Sequence, residues 1–253
     1  MEPRIIASRD GGVETLTLNR PDAMNALDGE MVSALHTELD RLEKDRDLAA
    51  LVLTGAGEKA FVAGADIAEL RARRAPEAFD RVNQHLFRRV AELPMPTIAA
   101  IRGWALGGGC ELALSCDLRV AAPSAKFGQT EVKLGIIPGA GATHRLARLV
   151  GLGKARELIF TGQIIDAEEA HRLGLVNRIA ESEEALDEVA QGFATEIAKN
   201  SAGAVRLAKI AVNHALDPGE RGRDLLEVLA QALCFESEDK QARMTKFLER
   251  KKS

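Results

Sequence analysis

Short apolar runs alternate along much of the chain with segments of helical hydrophobic period. Val13 to Leu18 and Leu48 to Thr54 have the character of strands. Between them Asp28 can cap a helix. The apolar positions of that helix recur every three or four residues and share one face: Met31, Leu35, Leu39 and Leu42. The alternation of the two patterns predicts an α/β fold.

A second helical period begins at about Pro76 and is stopped by Pro94 and Pro96. Its apolar positions are Phe79, Val82, Leu86, Val90 and Leu93. From Ser182 onward no strand pattern occurs. The remainder therefore predicts successive helices, whose starts are marked by Ser201, Pro218 and Ser237.

The composition is that of a globular protein. A chain of 253 residues, 46% of them hydrophobic, suffices for one large domain or for a domain with a smaller appendage. The net charge of -4 gives no reason to expect a nucleic acid or an anionic membrane as partner. The odd number of cysteines, 3, argues against a disulfide framework. Met1 to Gly12 lacks the apolar core of a signal peptide, and no stretch is long enough to span a bilayer, so we expect a soluble cytoplasmic protein.

Two glutamates on glycine-flanked segments are the strongest candidates for chemistry. Glu111 lies in the run Ala105 to Ala113 (ALGGGCELA), and Glu131 lies in the run Gly128 to Gly135 (GQTEVKLG). Gly107 to Gly109 fall where a predicted strand turns into a predicted helix. The first amides of a helix have no partner within it, so this turn can hold developing negative charge. Because the glutamates come from separate segments, their spacing does not show whether they meet.

These features also have ordinary structural interpretations. A lone helical glutamate is usually solvated, and a glycine run can serve tight packing of a helix on a strand. For Cys110, the role of a small buried hydrophobe is favoured over that of a nucleophile. Gly55, Gly57 and Ala60 satisfy a dinucleotide-binding pattern, but Phe61 to Asp66 is a poor helix start for a pyrophosphate.

Five ordered motifs cover most of the chain. They are Asn19 to Leu27 (NRPDAMNAL), Phe61 to Ile67 (FVAGADI), Gly103 to Asp117, Phe127 to Arg145 and Thr161 to Val176 (TGQIIDAEEAHRLGLV). Together they resemble the enoyl-CoA hydratases of the crotonase family. The resemblance implies a spiral of repeated ββα units in residues 1–195, which would carry the active site. It also implies a helical region in residues 196–253 that builds a homotrimer, usually paired into a homohexamer.

The resemblance further implies the parts of an active site. The thioester oxygen would lie between the backbone amides of Ala65 and Gly108. Glu111 would orient and deprotonate a water molecule, and Glu131 would be the main proton donor. Having both glutamates is the pattern of hydratases, whereas isomerases of the family commonly lack one. Neither a metal nor a cofactor is implied, because coenzyme A is part of the acyl-CoA substrate.

Coenzyme A contacts are implied for two groups of residues. The first group lies around the FVAGADI motif: Lys59, Ala63, Gly64, Asp66, Ile67 and Leu106. The second group lies at the carboxyl end, from which it often reaches a neighbouring subunit in the family: Phe247 and Arg250. Arg250 replaces the lysine of familiar members, and Ala68 stands where some have another lysine. Short linear enoyl-CoA in β-oxidation is the expected substrate. Arg71, Arg73 and Arg74 could accept an acidic acyl group, but a helix with so many charges is usually solvated, and that interpretation is favoured.

One branch of the family also binds RNA, through a lysine-rich early helix. The corresponding segment of this chain, Asp28 to Asp47, is acidic. Its acidic residues outnumber its basic ones: Glu30, Glu38, Asp40, Glu43, Asp45 and Asp47 against Arg41, Lys44 and Arg46. Phosphate would be repelled, so we expect no nucleic acid as a partner.

Overall fold

The chain passes back and forth between two β-sheets. The computed structural model describes residues 2–72, 74–215 and 219–250, apart from the side chains of residues 220, 221, 247 and 250. The first sheet has six strands, which in spatial order are Ile5–Asp10 (β1), Val13–Leu18 (β2), Ala50–Gly55 (β3), Thr97–Ile101 (β5), Leu118–Ala121 (β7) and Arg178–Ile179 (β10). The second has four: Ala60–Val62 (β4), Trp104–Leu106 (β6), Lys126–Gly128 (β8) and Ile164–Asp166 (β9).

The strands of the two sheets alternate in sequence. β3 is followed by β4, β5 by β6 and β7 by β8, so each turn of the chain adds one strand to each sheet. β1 pairs antiparallel with β2, and β9 antiparallel with β8, whereas the other pairings are parallel. Parallel neighbours need a crossover, which helices supply in most turns. This arrangement confirms the predicted α/β spiral.

The helices lie on both faces of the first sheet and beyond it. Their bounds are Gly29–Leu42 (α1), Ile67–Ala72 (α2), Ala75–Phe79 (α3), Val82–Glu92 (α4), Gly108–Ser115 (α5), Ala142–Val150 (α6), Leu152–Thr161 (α7), Ala167–Arg172 (α8), Leu186–Ala198 (α9), Ala202–Asn213 (α10), Glu220–Glu236 (α11) and Glu238–Arg250 (α12). α1, α4 and α5 bury apolar residues in the larger core, and α9 covers the opposite face of the sheet by packing on β2, β3, β5 and β7.

The first predicted helix is confirmed. Asp28 caps α1 by accepting a hydrogen bond of 2.8 Å from Met31 N. Met31, Leu35 and Leu39 are buried, as is Leu42, which places the predicted apolar face in the core.

The prediction of one continuous helix from Pro76 to Leu93 is wrong. The segment is two helices, α3 and α4, because Arg81 has a left-handed backbone with φ of 51° that no α-helix contains. The predicted apolar face is divided accordingly. Leu86 and Val90 are buried on α4, whereas Phe79 at the end of α3 is 80% exposed.

The last three helices form a tail. Ser201 caps α10 and accepts from Ala204 N, and Ser237 accepts from Lys240 N at the start of α12, as predicted; Pro218 lies outside the described residues. Lys209 of α10 makes a 2.7 Å ion pair with Asp117 beside the core. The predicted boundary between residues 195 and 196 falls inside α9 and stays a prediction. Of the helices that the structure describes, none has the length and apolarity to cross a membrane.

Candidate active site

Glu111 is buried one turn into α5. Gly107 precedes this helix with φ of 50° and ψ of -123°, a conformation that favours glycine. The Glu111 side chain accepts hydrogen bonds from two backbone amides, Ala140 N at 2.7 Å and Ala142 N at 3.1 Å. These amides stand at the end of the glycine-rich loop that begins at Gly135. The loop therefore fixes the carboxylate on one side and leaves its other oxygen available.

Glu131 reaches the same place from the other segment. It begins a short 3-10 turn that follows β8 after two residues, and it is 8% exposed. Its Oε1 would lie 3.2 Å from a Cβ built on Gly107, so the carboxylate packs against the turn that starts α5. Buried Gln129, in the amide orientation that suits both groups, donates to Glu131 Oε1 at 3.2 Å and Oε2 at 3.3 Å. The fold thus brings the two glutamates to one turn.

The two carboxyl groups differ in their electrostatic environment. Burial raises the pKa of Glu111, and hydrogen bonds from Ala142 N and Ala140 N act against that rise. Burial, together with the charge of Glu111, raises the pKa of Glu131 to about 7. Loss of solvent disfavours the charged form, and Glu131 lacks the two loop amides that bind Glu111, so Glu131 is the carboxyl group that holds its proton near neutral pH.

The backbone at residues 65 and 108 forms the facing side of this site. A Cβ built on Gly108 would lie 3.5 Å from Ala65 N, so the two segments run side by side. Gly108 is the first residue of α5, and its amide has no partner within the helix. The Ala65 amide follows Gly64, whose own φ is 111°. Two backbone amides therefore border the space beside Glu111.

The neighbouring glycine and cysteine have structural roles. A Cβ on Gly109 would lie 1.9 Å from Val62 O, so α5 packs on β4 too closely for any side chain there. Cys110 is buried, and that burial raises the pKa of its thiol to about 12. The thiol is thus protonated and inert, as the interpretation of Cys110 as a small hydrophobe predicts.

A single pocket of about 380 Å³ joins these parts. Both glutamates line it, together with Ala63, Gly64, Ala65, Gly107 and Gly108. Its apolar wall comes from α2, α4 and the loop after Glu131: Ile67, Leu70, Val82, Leu134, Ile136 and Ile137. Its size and mixed lining are typical of a small-molecule site.

The remaining predicted contact residues are more scattered. Ile67 is 59% exposed on the pocket wall. Asp66 caps α2 by accepting a hydrogen bond from Ala68 N, and it pairs with Arg20 at 2.9 Å. Lys59 is exposed in the turn before β4, and Leu106 ends β6 with its carbonyl beside Gly64. The side chains of Phe247 and Arg250 lie outside the described part of the structure.

The structure supports the argument against a dinucleotide-binding site and adds contacts that the sequence did not reveal. After Gly55 and Gly57 the chain forms strand β4, not a helix, so the dinucleotide-binding pattern has no helix amino terminus to offer a pyrophosphate. Sequence reasoning missed Gln129, although it stands two residues before Glu131 in the same motif. It could not have found the amides of Ala140 and Ala142, since a backbone contact leaves no residue-type signal. Within the described residues, no three His, Cys, Asp or Glu side chains are grouped as metal ligands.

The chain is similar to known proteins along nearly its whole length. Residues 8–253 match the family model for Enoyl-CoA hydratase/isomerase. The chain is 44% identical to a short-chain-enoyl-CoA hydratase of Clostridium acetobutylicum, over 98% of this chain and 95% of that one. It is also 44% identical to a crotonyl-CoA hydratase of Syntrophomonas wolfei, over 98% and 96%. The crystal structure of an enoyl-CoA hydratase from Bacillus anthracis superimposes with a TM-score of 0.94 at 38% identity, covering 98% of this chain and 96% of that chain. This chain therefore belongs to the enoyl-CoA hydratase/isomerase family, the crotonase family.

Proposed function

We propose that this protein is an enoyl-CoA hydratase, which adds water reversibly across the 2,3 double bond of a 2-enoyl-CoA thioester to give the 3-hydroxyacyl-CoA. The observation that carries the proposal is the single pocket lined by Glu111, Glu131 and the backbone at Ala65 and Gly108. The relatives named for short-chain and crotonyl substrates favour a short linear acyl group.

The residues divide the chemistry between them. The Ala65 and Gly108 amides stabilise the charge that develops on the thioester oxygen as C3 is attacked. The loss of one such donor costs about 3 to 4 kcal/mol in comparable sites. Glu111 takes a proton from the water whose oxygen bonds to C3, and Glu131 gives its proton to C2. The two carboxyl groups end with exchanged protonation states, and proton transfer between them or with solvent completes the cycle.

Coenzyme A contacts belong to the same proposal. Ala63, Gly64 and Ile67 line the pocket and would bind the thioester arm. Lys59 is exposed and cationic, which suits a phosphate. Roles for Asp66, Leu106, Phe247 and Arg250 rest on the resemblance alone.

The tail supports a homo-oligomer, a trimer or a pair of trimers. α10 and α11 enclose a groove of about 770 Å³ lined mainly by alanine and other apolar residues. Large apolar side chains of α11 remain exposed in the single chain, namely Leu225, Val228, Leu229, Leu233 and Phe235. A continuous apolar face of this kind favours burial against another subunit.

Hydration of crotonyl-CoA by the purified protein tests the proposal directly. We expect loss of the 2-enoyl thioester absorbance without added metal, nicotinamide or flavin, and the rate should survive EDTA treatment, because the glutamate pair and the amides complete the reaction unaided. Product analysis should show 3-hydroxybutyryl-CoA. Strict dependence on an added metal, or a double-bond isomer as the product from a longer enoyl-CoA, would contradict the proposal.

A further inference from the structure

The break between α3 and α4 gives one wall of the pocket an unusual set of polar residues. Arg74, Glu77, Arg81 and Asn83 line the pocket together with Gln84. Among the described residues, neither Arg74 nor Arg81 forms an ion pair. Glu77, the one acidic residue of this wall, accepts a hydrogen bond from Arg74 N and so caps α3. The wall therefore carries two guanidinium groups against one engaged carboxylate.

Arg81 stands where its backbone is disfavoured. Its φ of 51° is a left-handed conformation that a long side chain adopts at an energetic cost. Glycine or asparagine would fit the same turn with less strain. Such outliers occur at binding sites because the surrounding structure holds a side chain where a ligand needs it. At this junction the residue so held is a cation on the pocket wall.

Asn83 is the second, independent sign of a polar ligand. Its Oδ1 is buried and has no hydrogen-bond partner, although the residue lines the pocket. A buried amide atom without a partner is unfavourable, and few native groups remain so. Since the protein does not fix this amide, its rotation can present either the oxygen or the NH₂ group to a ligand.

We propose that this pocket selects 2-enoyl-CoA thioesters whose acyl chain ends in a carboxylate, with Arg81 and Arg74 as the cationic partners and Asn83 as a hydrogen-bond donor. The inference rests on the proposed hydratase function and narrows its substrate class. Guanidinium binds carboxylate through paired, charge-assisted hydrogen bonds. The apolar residues Ile67, Leu70 and Val82 of the same pocket leave room for the methylene groups between the thioester and the carboxylate. The phosphates of coenzyme A are the competing anionic ligand for the same arginines.

Two substrates of equal shape show whether these arginines bind an acyl carboxylate or the phosphates of coenzyme A. In 4-carboxybut-2-enoyl-CoA the chain ends in a carboxylate, and in 5-methylhex-2-enoyl-CoA the same position carries an uncharged isopropyl group. We expect the wild-type kcat/KM to favour the carboxylate substrate by about tenfold, the size of effect that one charge-assisted contact gives. Arg81→Asn, which suits the left-handed turn, should remove most of that preference, and Arg81→Lys should restore part of it. Asn83→Leu should lower kcat/KM for the carboxylate substrate and raise it for the isopropyl one.

The matched control is Arg88→Gln, an exposed arginine of α4 that pairs with Glu92 and does not line the pocket, and it should leave the ratio unchanged. Circular dichroism of each variant checks folding, and inhibition by glutaryl-CoA against 5-methylhexanoyl-CoA measures the same preference by binding alone. If Arg81→Asn lowers kcat/KM equally for both substrates, the arginine binds coenzyme A and the inference is overturned. A wild-type enzyme that prefers the isopropyl substrate would overturn it as well. Absence of crotonyl-CoA hydration would instead refute the proposed function itself.

Discussion

At the scale of single residues, the surroundings of the two glutamates support different roles. Glu111 receives two backbone hydrogen bonds, from Ala140 and Ala142, which favour its charged form. Glu131 packs against the Gly107 turn, and its raised pKa of about 7 lets it carry a proton at neutral pH. A base and an acid are thereby separated within one pocket, which is the arrangement that acid–base catalysis requires.

Replacement of either glutamate by glutamine tests these roles. Glu111→Gln and Glu131→Gln keep the side-chain size and remove the acid–base function, so each should lower kcat for crotonyl-CoA by at least about 10²-fold. The double variant should lose less than the product of the single losses, because both carboxyl groups act on one addition of water. Glu168→Gln, on the exposed face of α8, is the control and should keep full activity. A near wild-type rate in either single variant would exclude that glutamate as a catalyst.

The pH dependence of kcat/KM should reflect the titration of Glu131. As a proton donor it must be protonated in the free enzyme, so activity should be lost as the pH rises through its pKa of about 7. On the acid side activity should fall as Glu111 becomes protonated. Steady-state rates of crotonyl-CoA hydration, measured from about pH 5 to about pH 9, would show both limbs of the pH profile. In Glu131→Gln the residual activity should lack the alkaline limb; a limb that persists would belong to another group.

At the scale of elements, the turn from β6 into α5 depends on three consecutive glycines for three reasons. Gly107 adopts a conformation that favours glycine, Gly108 leaves the Ala65 amide uncovered, and Gly109 lets α5 touch β4. The functional and packing interpretations of the glycine run are thus both needed. Because one helix carries Gly108 and Glu111, its position on β4 sets the geometry of the whole site.

Gly109→Ala should therefore disturb both stability and activity. Its Cβ would lie 1.9 Å from Val62 O, so α5 must shift away from β4. We expect the free energy of unfolding to fall by about 1–3 kcal/mol, the usual cost of overpacking, with a loss of hydratase activity. Gly153→Ala in α7 is the matched control, because nothing lies within 4 Å of its added Cβ. Urea unfolding followed by circular dichroism compares them; equal stabilities would show that the α5–β4 contact is looser than described.

At the scale of the whole molecule, the core and the tail bury their apolar residues differently. The core between the sheet and its helices is closed, whereas Leu225 and Leu229 of α11 are 58% and 55% exposed. In α10, by contrast, Val205 and Leu207 are half-buried. The tail is tied to the core by polar contacts, including the hydrogen bonds of Arg206 to the Arg46 and Leu48 carbonyls. Its remaining apolar surface supports the proposed assembly.

Truncation of the chain after Asn200 tests that assembly. The shortened protein lacks α10 to α12, so we expect it to run as a monomer or to aggregate, because the surface that would join the subunits is gone. Light scattering coupled to size-exclusion chromatography measures the mass of both forms. Alanine replacement of Leu225 and Leu229 in the full chain is the milder variant and should also reduce the mass. If both proteins keep the wild-type oligomer, the assembly contact lies elsewhere.

Local patterns in the sequence determined the features that depend on the order of residues along one segment. The apolar period predicted α1 with its Asp28 cap, and the motifs around Glu111 and Glu131 identified the family. Tertiary structure decided what depends on distance between segments. It brought Glu131 against Gly107, placed the Ala140 amide on Glu111, and broke the helix at Arg81, where the apolar period continues without interruption. The reason is physical: a period reports which face of an element is buried, whereas contacts between segments, and a turn at a single residue, are set by packing across the whole chain.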